Sequence, residues 1–168
     1  MVGRNGLTRD VLVGIFADAG AHEPVSHLAT GNVTFGGVDA LSGLVDRVER
    51  AIAAVIGRTE PVFVRSIDQL REKIESDPFR DAPFEEVHER CVSFADGPVA
   101  GLELPVSTPR RDATAFALRG SDIYSVTRLI GGRPGTIGKV LERSLGRPVT
   151  TRNWNTIELI VRRAGPSS

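Results

Sequence analysis

The residues able to do chemistry in this chain gather in short polar stretches rather than in one catalytic signature. The stretch "TTRNWNT", Thr150 to Thr156, sets Arg152, Asn153 and Asn155 around Trp154, the only tryptophan. An arginine and two side-chain amides at the start of a helix can grip a phosphate or carboxylate, with the free N–H groups of the first turn as further donors. Arg152 is the residue that local rules explain least, because a helix N-terminus favours anions over cations. Either a protein carboxylate or an exogenous anion would account for it. In "TGN", Thr30 to Asn32, Gly31 supplies a cheap positive φ and Asn32 tolerates one, which leaves the Thr30 hydroxyl to face a ligand. Arg4 and Asn5 in "GRNG" would complete a cleft if the loops converge, and Arg133 in "GGRPGTIGK" precedes another helix. These eight residues are the ligand-binding candidates. No residue is assigned a catalytic role.

Reaction signatures are thin. "GGRPGTIGK" lacks the Gly, four residues, Gly, Lys, Ser/Thr pattern of a triphosphate loop, since Arg133 stands five before Gly138 and Val140 follows Lys139. His22, His27 and His88 share no i,i+4 face, and His27 is the best titratable candidate for a cleft. Cys91 is the sole cysteine, so no internal disulfide or multi-cysteine zinc site forms, and a buried inert thiol is expected. Glu85, Glu86 and Glu89 lack metal-ligand spacing and read as a solvated face. No metal and no cofactor is expected.

The elements that must position these residues follow from periodicity. "LTRDVLVGIFADAG" reads as a helix capped by Thr8, with Val11, Leu12, Ile15 and Phe16 inward and Gly20 as its stop. "VSHLATGNVTF" reads as two extended segments broken at Gly31-Asn32. A longer helix carries Leu41, Leu44, Val45, Val48, Ile52 and Val55 on one face and ends at Gly57. "PVFVRS" reads as a short strand, and Ser66 caps a helix with Leu70 and Ile74 inward, closed by Pro78. Phe79 and Phe84 are expected anchors in an acidic, turn-like segment. "RCVSFAD", "TAFALRG" and "DIYSVT" read as strands, the last two joined by a hairpin at Gly120-Ser121. "GGRPG" reads as a loop, "TIGKVLERSLG" as a helix ended by Gly146, and "RNWNTIELIVRR" as a final helix with Trp154, Ile157, Ile160 and Val161 as its stripe. This mixture predicts an α+β protein with helices packed on mainly antiparallel sheets. The subdomains expected are 1–76 and 77–168, intimately packed, with a single domain as the alternative.

"VGRNGLTRDVL", "TGNVTF", "PVFVRS", "DPF" and "TTRNWNT", in that order, resemble the bacterial DUF1697 family of uncharacterised proteins over roughly residues 2 to 163. The resemblance implies two ferredoxin-like subdomains and no established activity. Family members usually begin with an apolar strand before the first helix, which this chain lacks. A start codon assigned too late would explain that, as would a homodimer or rearrangement that fills an open sheet edge. In the family a Gly-Arg-Ser-Lys run often precedes the penultimate helix. Arg133 matches its Arg, whereas Pro134-Gly135 replace the Ser-Lys pair.

Composition bounds the rest. The chain has 168 residues, 40% hydrophobic and 25% charged, with 21 cations balancing 21 anions. From Arg110 onward there are eleven Lys+Arg against four Asp+Glu, but all cations except Lys73 and Lys139 are arginine, which suits a coding bias better than a nucleic-acid site. Nucleic acid is not an expected partner. The longest apolar run falls short of a membrane span and no secretory leader is seen, so the expected address is cytoplasmic. The expected function is a small-ligand or anion-binding module. An enzyme acting on a small metabolite, or a partner-binding protein using an open edge, are the alternatives.

Overall fold

The structure, a computed structural model, describes residues 6–28, 31–38, 40–83 and 86–165. The candidates Arg4, Asn5 and Thr30, and the expected anchor Phe84, lie outside these residues. The chain divides into two compact units, Met1–Val62 and Phe63–Ser168.

In the first unit, helix α1 (Arg9–Asp18) starts where the Thr8 hydroxyl accepts from the Val11 N–H at 3.2 Å. Strands β1 (Val25–His27) and β2 (Asn32–Thr34) form an antiparallel hairpin with His27 opposite Asn32, and Gly31 in the turn takes φ +76°. Helix α2 (Leu41–Ile56) ends at Gly57 in the left-handed region. Leu44, Val48 and Ile52 repeat every four residues and meet Leu12 and Phe16 in one apolar cluster. Leu41 and Val55, read as inward-facing, are instead 45% and 38% exposed at the two ends of that stripe. The Arg47 guanidinium donates twice to the Ala19 carbonyl, at 3.0 and 2.8 Å, tying the end of α1 to α2.

The expected strand at "PVFVRS" does not form: residues 61–66 carry no ladder. Their groups are satisfied otherwise. The Val62 N–H donates to the Glu49 carboxylate at 2.8 Å. Arg65 donates to the Ala95 carbonyl and the Ser121 hydroxyl, both at 2.9 Å, and to the buried Asp122 carboxylate at 3.1 Å.

In the second unit, helix α3 (Ile67–Glu75) opens with a reciprocal capping box between Ser66 and Gln69. It belongs here, although the sequence grouped residues up to 76 with the first half, because Leu70 packs with Val92, Tyr124 and Trp154. Strands β3 (Glu89–Ala95), β4 (Val106–Ser107), β5 (Ala113–Arg119) and β6 (Asp122–Thr127) follow. "GGRPG" is more ordered than a loop: β7 (Leu129–Ile130) and β8 (Arg133–Pro134) pair around Gly131-Gly132, both at positive φ as a two-residue hairpin favours. Helix α4 (Gly138–Leu145) ends at Gly146, and strand β9 (Val149–Asn153) leads directly into helix α5 (Trp154–Ala164).

The main sheet is antiparallel, in the order β4-β5-β6-β3-β9. One face meets α3 and α5 through Val92, Phe94, Tyr124, Val126, Trp154 and Ile157. The other meets α4 through Ala113, Ala115, Ile123, Ile137 and Leu141. The architecture is α+β, and no helix among the described residues is long and apolar enough to cross a membrane.

Candidate functional site

Strand β9 decides what the "TTRNWNT" residues see. Arg152 was expected at a helix N-terminus, but it lies within the strand, opposite Val92 of β3. Side chains alternate along a strand, so Arg152 shares the α3/α5 face, while Thr151 and Asn153 project to the α4 face opposite Ser93 and Cys91. The first-turn position falls to Asn153, whose side-chain oxygen accepts from the Asn155 N–H at 2.9 Å and caps α5. Arg152 donates to the Thr151 carbonyl at 3.0 Å and to the Thr150 hydroxyl, and burial pulls its guanidinium pKa down. Trp154 is core, edge-on to Phe79 at 5.2 Å and to Tyr124 at 5.9 Å between ring centres.

On the α4 face the packing is divided. Ile137 and Leu141 cover the β5 side with apolar contacts, but toward β3 and β9 the sheet presents polar side chains. One row across three strands reads Asn153, Cys91, Ser125, and the next pairs Glu89 with Thr127. A third pairs Thr151 with Ser93, whose hydroxyls hydrogen-bond at 2.8 Å. Above these rows the segment Gly135, Thr136, Ile137 and Gly138 forms a roof, enclosing a cleft of about 190 Å³. The roof sits close at its two glycines, where no side chain intervenes. A Cβ on Gly135 would lie 2.6 Å from the Asp112 carbonyl carbon, and one on Gly138 would meet the Thr151 hydroxyl at 3.3 Å.

The accessible lining of this cleft is mainly apolar, with polar groups set into its floor. The Ser125 and Thr127 side chains are 0% and 3% exposed, line the cleft, and find no hydrogen-bond partner among the described residues. Asn153 uses its oxygen for the cap, which leaves its NH2 group as a donor. The Cys91 thiol is pushed up to about 12, by burial first and then by the Glu89 carboxylate, so the neutral thiol persists and is a poor nucleophile. Among the described residues, no three His, Cys, Asp or Glu side chains gather as metal ligands would.

Of the sequence candidates, Asn153 lines the cleft; Arg152 faces away from it and Asn155 is exposed on α5. Arg133 is exposed in β8, and Asn32 belongs to the hairpin of the first unit. His27 in that hairpin is buried, its Nε2 2.7 Å from the Thr34 hydroxyl. Sequence reading missed Ser125, Thr127, Glu89 and Thr151. A signal was present: in "DIYSVT" and "ERCVSF" polar residues alternate with apolar ones on strands that prove to be covered on both faces.

No curated protein and no solved structure matches the chain. A protein family matches over residues 1–124, which leaves "TTRNWNT" beyond the matched span. That span is well over half of the sequence, and the chain belongs to this family, DUF1697, described as a protein of unknown function.

Proposed function

We propose that the protein is a small-ligand-binding α+β module whose site is the cleft between the β6-β3-β9 part of the sheet and the 135–138 segment. The observation that carries this reading is the pair of buried, unpartnered hydroxyls, Ser125 and Thr127, on the cleft floor. A buried polar group without a partner costs about 1–3 kcal/mol, and sequences rarely keep two side by side. A ligand offering donors and acceptors would satisfy both, with the Asn153 amide and the Thr151 hydroxyl at the same cleft. An anion held by Arg152 has weaker support, since that guanidinium already donates to Thr150 and Thr151. We infer with it two ferredoxin-like subdomains and a bacterial, cytoplasmic setting.

The test is a screen of small polar metabolites against 15N-labelled protein. Binders should shift the amides of Ser125, Thr127 and Gly135 to Gly138, and a Ser125→Ala/Thr127→Val double variant should lose those shifts. If no compound moves the cleft resonances of the wild type, or if the double variant binds unchanged, the reading fails.

A further inference from the structure

We infer that the ligand of this cleft carries a cationic amino group, with Glu89 as its counter-charge. This rests on the site proposed above and specifies its chemistry. Among the described residues, Glu89 is the single charged side chain in the lining. It is half-buried and makes no ion pair among the described residues.

The cations next to lining residues in sequence are engaged elsewhere or lie outside the lining: Arg128, after Thr127, donates to the Arg111 carbonyl at 2.9 Å. Arg90, between Glu89 and Cys91, shares the opposite face of the sheet, where it reaches Glu158 at 3.8 Å and stacks over Phe79 at 5.6 Å. Arg152, between Thr151 and Asn153, is directed to that same face by strand alternation. Lys139 follows Gly138 but is exposed on α4 and is not part of the lining.

One feature of the cleft pulls the other way. Helix α4 begins at the roof without a side-chain cap, and its first turn presents partial positive charge. That amounts to about half an elementary charge, against the full negative charge of Glu89. Glu89 wins, and its field reaches the cleft floor, where it adds to the effect of burial in holding the Cys91 thiol protonated. An anion entering here would meet an uncompensated carboxylate. An ammonium would instead donate to that carboxylate and to the lone pairs of the Ser125 and Thr127 hydroxyls, each of which can accept. The volume of about 190 Å³ lies below the usual range for drug-sized ligands, so the molecule is small.

Three probes of nearly equal size and different charge separate the outcomes: ethanolamine, ethylene glycol and glycolate, each titrated into 15N-labelled full-length protein at neutral pH. Ethanolamine is expected to bind about tenfold more tightly than ethylene glycol, with glycolate weakest, and Glu89→Gln should remove the preference. Equal binding of all three, glycolate binding best, or a preference that survives Glu89→Gln would overturn the amine assignment while leaving the cleft as a site. Absence of cleft shifts with every probe would overturn the amine assignment and, with the wider screen also silent, the proposed function too. The spectrum of Glu89→Gln itself reports whether the fold is kept.

Discussion

At the residue scale, the molecule keeps polar groups where packing alone would replace them. Thr127 has a hydroxyl that is buried and unpartnered on a sheet where its cross-strand neighbours are Ala113 and Glu89. Valine has nearly the same shape without the desolvation cost, so Thr127→Val is expected to raise unfolding free energy by up to about 1 kcal/mol in denaturant titrations. A loss of 1 kcal/mol or more would show that the hydroxyl is satisfied in the free protein. Cys91 and Tyr124 give a second prediction. Burial raises the Cys91 thiol from 9.0 to about 12 and the Tyr124 phenol from 10.0 to about 12. Below pH 9 both groups are protonated in folded and unfolded chains alike, and neither makes stability depend on pH. Between about 9 and 12 the unfolded chain releases protons that the folded chain retains, so stability falls as pH rises, by about 1.4 kcal/mol per pH unit for each group titrating. Cys91→Ala should therefore flatten the decline that begins near pH 9, and an unchanged alkaline slope would contradict the buried thiol. Sequence alone identified Cys91 as inert and Trp154 as core, because composition and helical spacing are local properties. It misread Arg152, since whether a residue lies one step before a helix or within a strand depends on the pairing of β9 with β3, which no local pattern encodes.

At the element scale, the cleft exists because the segment from β8 to α4 crosses the sheet at close range. Gly135 makes that approach feasible through the absence of a side chain rather than through an unusual backbone angle. Its added Cβ would lie 2.5 Å from the Asp112 carboxylate oxygen and 2.6 Å from the Asp112 carbonyl carbon, and backbone does not give way as a flexible side-chain end does. The Asp112 backbone is fixed in turn, as its carbonyl accepts from the Arg128 N–H at 2.8 Å. Gly135→Ala is therefore expected to lift the roof and loosen α4, at a cost of about 1–3 kcal/mol, the range for overpacking a tight site. Hydrogen exchange should report it as faster exchange over Leu141 to Leu145, with β3 and β6 unaffected. Wild-type exchange in α4 would mean that the roof accommodates the methyl group. Helix ends were legible from the sequence because caps are local: Thr8, Ser66, Gly57 and Gly146 all act as read. "PVFVRS" was not, for its β-branched residues fit a strand, yet a strand exists only where another supplies its ladder.

At the scale of the whole chain, the charge asymmetry of the sequence largely dissolves. The excess of cations after Arg110 shares its unit with acids from Asp68 to Glu103, so Phe63–Ser168 carries sixteen Lys+Arg against fourteen Asp+Glu. The net charge of this unit is therefore only slightly positive, and the sign that a ligand meets inside the cleft is set locally by Glu89. The hydrophobic clusters divide at the same boundary. One draws only on residues up to Val62, and two draw only on residues from Phe63 onward. A unit of about a hundred residues with a sheet covered on both faces can bury enough surface to fold alone, whereas about sixty residues are marginal. A fragment spanning 63–168 is therefore expected to unfold cooperatively, to show the blue-shifted emission of a buried Trp154, and to retain the cleft amide shifts seen with full-length protein. The fragment 1–62, built on a two-stranded hairpin and two helices, should show the weaker and broader transition. If 63–168 unfolds without cooperativity while the full chain unfolds in one sharp step, the cleft is not the property of a single unit, and its rigidity depends on residues before Phe63.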